Sequence, residues 1–117
     1  MPRDARAYLL DMRETATLLV QLVSNRTLQD MSDDQAFRWA VERAMQNIGE
    51  AVFQLKHLDE NLVQSISEHE RIIGLRHILV HAYDEVNPAV LWNIIETKLP
   101  LMVDEVQSLL QKLSDND

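Results

Sequence analysis

The stretch LRHILVHAYDEVNP, residues 75–88, closes one helix and opens the next. Asn87 followed by Pro88 is an N-cap and first-turn pair, because an Asn side chain can accept from a free amide and proline there sacrifices no hydrogen bond. A helix is therefore expected from Pro88 through Leu91, Ile94 and Ile95. Upstream, Ser67 and Glu70 have capping-box spacing, which predicts a helix from near Glu68 to Tyr83. At about 100° per residue, Ile72, Leu75, Leu79 and Ala82 form one stripe suited to a core. Ile73 and Val80 lie roughly 120–160° from the middle of that stripe by the same rotation. The helix is thus apolar on two sides, and one core can use only one of them. The second strip, flanked by Arg76 and His81, is expected to meet another chain.

The rest of the chain reads as helix around this segment. Ala5, Tyr8, Leu9, Met12, Ala16, Leu19, Val20 and Val23 keep the spacing of one helical face, with Asn25 as a terminator. NRTLQDMSDD (25–34) reads as a connector, and Ser32 with Gln35 as a capping box for a helix on Phe37, Val41, Ala44, Ile48, Val52 and Leu55. KHLDENLVQSI (56–66) carries no strong period and reads as a loop. Pro100 should kink the last helix or start a new one.

With 46% hydrophobic residues, two Gly and three Pro in 117 residues, the chain has material for a core but little for turns. The expected fold is all-α: one domain over residues 1–117, an antiparallel four-helix bundle whose last helix is broken at Pro100. No cysteine, no apolar run near the ~20 residues that span a bilayer and no signal-like start in MPRDARAYLL lead to a cytoplasmic expectation, with no membrane partner.

The polar residues of the opening stretch admit three readings. In the first, Arg76 pairs with an acid such as Glu50 and the histidines sit at the surface. In the second, His77 and His81, four apart on one face with His69 eight residues earlier, bind a metal; no carboxylate is fixed beside them, and neither a metal nor a cofactor is expected. In the third, His81 moves protons and Arg76 holds a phosphate. Five residues put Arg76 and His81 about 140° apart on a straight helix, so one helix does not focus both on one atom, whereas two copies facing each other could. Trp39 and Trp92 are expected to pack or anchor an interface rather than to serve as base-stacking platforms.

Arg76-x4-His81-x-Tyr83 resembles the motif of the HepT-like toxins of the HEPN superfamily, with His77 in the place of a commoner Asn. The likeness extends over most of the chain: the opening MPRDARAYLLDM, Arg43-Ala-Met-Gln-Asn-Ile-Gly-Glu50-Ala51, Ile73-Gly-Leu-Arg76, Asn87-Pro-Ala-Val-Leu-Trp92 and Leu99-Pro100. It implies a helical homodimer with a composite, metal-independent endoribonuclease site, Arg76 and His81 being catalytic and His77 and Glu50 supporting. It also implies a toxin–antitoxin pair, in which an MntA-like nucleotidyltransferase silences the RNA site by adenylylating Tyr83. The alternative implied is an inactive helical dimer that serves as a binding module for that partner. A net charge of −8 gives no steering field for RNA. A local patch of Arg76, Arg43 and Arg71, doubled by symmetry, is expected to supply it.

Overall fold

Asp4 starts the first helix by accepting the Ala7 amide at 2.9 Å, and α1 then runs Ala5–Val23 as the spacing predicts. The computed structural model describes residues 3–115, apart from the side chain of Tyr83. Further along lie α2 (Leu28–Asp33), α3 (Gln35–Leu58), α4 (Glu60–Val63) and α5 (His69–His81). A 3-10 turn over Tyr83–Glu85, α6 (Pro88–Thr97) and α7 (Leu99–Asp115) complete the chain, so the described residues are all-α as expected.

Four boundaries differ from the sequence reading, the first three because a different polar group caps. The 25–34 connector contains α2, whose Thr27 and Asp30 cap each other. Asp34, not Ser32, opens α3, its carboxylate accepting from Phe37 N at 3.1 Å. Within the 56–66 segment α3 continues to Leu58, and Asp59 then caps the short α4. Ser67 does not cap α5. Its hydroxyl donates to Glu105 on α7 at 2.6 Å, and Glu68 takes the N-cap place at φ 64°, a left-handed backbone that a non-glycine residue adopts at some cost. Asn87 and Pro88 open α6 as predicted, Asn87 accepting from Ala89 N. The break also falls where expected: α6 ends at Thr97, and α7 carries Pro100 as its second residue, where a missing amide proton is harmless.

The long helices pack in the order α7, α1, α3, α5, with α6 against α7 and α2. One continuous core joins them, built of residues such as Leu9, Met12, Leu19, Met45, Ile48, Leu55, Ile72, Ile95 and Val106. No helix among the described residues is long and apolar enough to cross a membrane. The helix α5 lies on α3, and its core stripe is Ile72, Leu75 and Leu79, as the rotation predicts. The second strip is only partly realised: Ile73 is half-buried against the core, while Val80 and Ile78 are exposed.

An exposed ion pair ties the start of α5 to the end of α3, Lys56 Nζ lying 2.6 Å from Glu70 Oε1. The hydrogen bond from Lys56 holds the Glu70 carboxyl below its usual range, and Glu70 in turn holds the Lys56 ammonium above its own. A depressed carboxyl stabilises the fold above the ordinary glutamate range and loses that contribution as pH falls through the lowered value; a raised ammonium loses its contribution only as pH rises past the ordinary lysine range. Glu70→Gln is therefore expected to lower Tm slightly at neutral pH, with the difference closing as the buffer is taken below about pH 4. Thermal scans of both proteins across pH check this.

Candidate active site

The helices α3 and α5 meet closely at Gly49. A Cβ there would overlap the Arg76 Cβ and would sit 3.0 Å from Arg76 Cγ and 3.2 Å from the Ile72 carbonyl oxygen. Glycine is required here for close approach, since only a bare Cα lets the stem of Arg76 pass across α3. Beyond that crossing the guanidinium meets two further residues of α3. Arg76 Nη2 lies 2.6 Å from Glu50 Oε2, and Arg76 Cζ stands 4.8 Å from the centre of the Phe53 ring, within cation–π reach. Gln54 Nε2 donates to the other oxygen of Glu50 at 2.9 Å. The Arg76 Nε is buried with no hydrogen-bond partner. Side-chain exposure is 22% for Arg76 and 44% for Glu50, so the pair forms at the rim of the core and the guanidinium still reaches solvent.

One turn further along α5, the rings of His77 and His81 lie 4.6 Å apart, tilted by 51° and exposed. His81 is the last residue of the helix. Arg76 thus turns to α3 while His81 stands in solvent, matching the divergence expected from the rotation. Glu50 engages Arg76, and His77 neighbours His81. The side chain of Tyr83 lies outside the described residues; its backbone begins the 3-10 turn directly after α5.

Other expectations separate here. His69 is at the far end of α5, its Nδ1 3.0 Å from the Ile66 carbonyl oxygen. No group of three metal-ligating side chains converges among the described residues. Arg43 is exposed on α3, but Arg71 lies on the opposite flank of α5 from Arg76, 4.0 Å from Glu68 and lining a shallow apolar cleft with Gly74, Ile78 and Val90. The expected three-arginine patch therefore reduces to Arg76 and Arg43 on the α3 side.

Trp92 packs as expected, buried and edge-to-face with Phe37 at 6.2 Å. Trp39 is not core: 61% of it is exposed. It stands at a cleft of about 620 Å³ lined also by Met31, Ser32, Asp33, Gln35, Arg38, Glu42 and Asp84. Gly49 and Phe53 are site residues that spacing did not single out. The available signal was a glycine inside an otherwise uninterrupted helical face, directly before Glu50, with an aromatic three residues on.

The profile of the family described as Ribonuclease HepT-like matches residues 12–109. A protein of Methanocaldococcus jannaschii named "Putative RNase" is 28% identical over 120 residues, covering all of this chain and 97% of the relative. A second from the same organism, with the same style of name, is 29% identical over 105 residues, 90% of this chain and 95% of its own length. "Probable ribonuclease HepT" of Thermococcus cleftensis is 28% identical over 109 residues, 93% of this chain and 98% of its own. No solved structure matches.

Proposed function

The chain belongs to the HepT-like ribonuclease family, and on that footing we propose that it is a metal-independent endoribonuclease whose site is completed only when two copies meet. The observation that carries this reading is the caging of Arg76. Gly49 admits its stem, Glu50 holds Nη2 and Phe53 covers one face, so the guanidinium is oriented before any substrate arrives. Its other donors can address a phosphate.

The chemistry follows from those groups. The 2′-hydroxyl of the RNA attacks the adjacent phosphorus, the bond to the 5′ oxygen breaks, and a 2′,3′-cyclic phosphate and a 5′-hydroxyl result. One His81 removes the attacking proton and the His81 of a second copy protonates the leaving oxygen. Arg76 balances the charge that grows on the phosphoryl oxygens. His77, whose ring lies tilted against that of His81, supports it. Cleavage is expected to be unchanged by EDTA. Heterodimers of one unaltered and one His81→Ala chain are expected to be nearly inactive, since each lacks one of the two imidazoles; heterodimers that cut at half the normal rate would remove the composite site.

In the same reading the protein is the toxin of a toxin–antitoxin pair in the cytoplasm. The partner nucleotidyltransferase transfers an adenylyl group from ATP to the Tyr83 oxygen, releasing pyrophosphate, and the added charge and bulk repel substrate phosphate. Mass spectrometry of Tyr83 after incubation with the partner and ATP tests that step, and a silenced toxin with unmodified Tyr83 would overturn it. One observation favours a second reading. The Glu50 carboxylate already occupies Arg76 Nη2, as a structural ion pair would, which suits an inactive module that binds the nucleotidyltransferase. A dimer that binds this partner but cuts no RNA under any condition would decide for it.

A further inference from the structure

The cleft beside Trp39 is open, walled by polar groups, and used by nothing described so far. Resting on the ribonuclease reading, we propose that Trp39 is the platform of a base-binding subsite, in which an RNA base stacks on the indole and presents its edge to Asp33, Glu42 and Asp84 while Arg43 takes the neighbouring phosphate. Four observations converge on this. Trp39 is 61% exposed although tryptophan normally hides its surface, and it stands at the rim of a cleft of about 620 Å³. Arg43 follows one turn later on the same face of α3, exposed and in no ion pair among the described residues.

The same face continues through Gln46 to Glu50 and Phe53, which hold Arg76; Trp39 is eleven residues from Glu50, about 16 Å along the helix. That is a span of a few nucleotides, so a strand whose scissile phosphate lies at Arg76 passes Arg43 and then Trp39. Finally, three acids and one arginine, Arg38, line the cleft. Asp33 and Asp84 are in no ion pair among the described residues, and Glu42 is matched by Arg38 at 3.2 Å.

Those carboxylates decide both orientation and preference. They repel a phosphate, so the backbone must run on the Arg43 side with the base turned inward. They accept hydrogen bonds and donate none, so they suit the exocyclic amino groups of adenine, cytosine and guanine, while uracil offers them only its N3–H between two repelled carbonyls. Aromatic stacking alone tolerates any base, worth about 1–3 kcal/mol per base by truncation. The carboxylates add discrimination. Asp84 lies three residues beyond His81, so this subsite adjoins the end of the motif helix.

The test uses a hexanucleotide with 2′-O-methyl sugars, which cannot be cut, so binding is read independently of catalysis. Oligoadenylate is expected to bind several-fold more tightly than oligouridylate. Trp39→Ala should weaken oligoadenylate roughly tenfold or more, in line with one lost stacking contact, and Arg43→Ala should weaken both oligomers alike. Asp33→Asn with Asp84→Asn should erase the preference between them. Binding without cleavage of the natural RNA would sink the ribonuclease reading and leave the subsite standing. Oligonucleotide affinity unchanged in Trp39→Ala would overturn the subsite. So would a shift of that variant from dimer to monomer, which would make Trp39 an interface anchor, or saturable binding of hexa-arginine, lost in the Asp33→Asn, Asp84→Asn protein, where the oligomers fail to bind.

Discussion

Arg76→Ala and His81→Ala are each expected to lower the rate of RNA cleavage by about a hundredfold to ten-thousandfold, the range for losing a positioned proton-transfer group or a preorganised charge. The two losses differ in character. His81 is exposed at the end of α5 and supports no core contact in the structure, so His81→Ala should keep its helical signal and its Tm. Arg76 lies in the α3–α5 seam and its removal leaves Glu50 without its cation, so a modest loss of stability should accompany the loss of rate. Arg76→Lys separates charge from shape. A lysine keeps the pairing with Glu50 but cannot present a planar fork, so it should recover stability and little activity. A folded His81→Ala dimer that cuts RNA at the normal rate would remove His81 from the mechanism.

The second large effect is expected at a residue with no side chain. In the middle of a helix, Gly→Ala normally stabilises by up to about 1 kcal/mol. At Gly49 the added methyl would collide with the Arg76 Cβ, an atom fixed to its own backbone that cannot swing away, and would press on the Ile72 carbonyl. The seam must open, and overpacking of that kind costs about 1–3 kcal/mol. The collision therefore outweighs the propensity gain, and Gly49→Ala should lower Tm by several degrees. Because the displaced helix carries Arg76 and His81, cleavage should fall with it. Gly74 is the internal control: a Cβ there meets nothing within 4 Å, so Gly74→Ala should raise Tm on propensity alone. Paired thermal melts decide the matter, and a Gly49→Ala protein at least as stable as the parent would mean that the two helices can part without consequence.

These cases also mark what could be read in the sequence. The extent of α1, the start of α6 at Asn87-Pro88 and the break before Pro100 were legible, because each depends on residues within one turn of the boundary. So was the divergence of Arg76 and His81, which is a property of one helix. The capping role given to Ser67 failed because its true partner, Glu105, lies on α7, 38 residues away. Ser32 lost its place to Asp34 because two acceptors stood at nearly equivalent positions and the local backbone chose between them. Pairing of Glu50 with Arg76 was foreseeable as charge, but the contact distance between α3 and α5 was not, since Gly49 says nothing until its neighbour is known. Of the two roles expected for Trp39, packing in the core was excluded only by the structure, because whether an indole is covered depends on what other helices bring to it.

The packing order α7, α1, α3, α5 leaves the motif helix at one end of the row, resting on α3. A helix so placed is expected to open sub-globally, with α1, α3 and α7 still closed, at less than the cost of global unfolding. Amide protons of α5 should then exchange ahead of those in the interior of α1. A partner that covers only the ordered α5 raises the cost of that opening by its own binding free energy. The element carrying the chemistry would thereby report, through its own order, whether the chain is alone or accompanied.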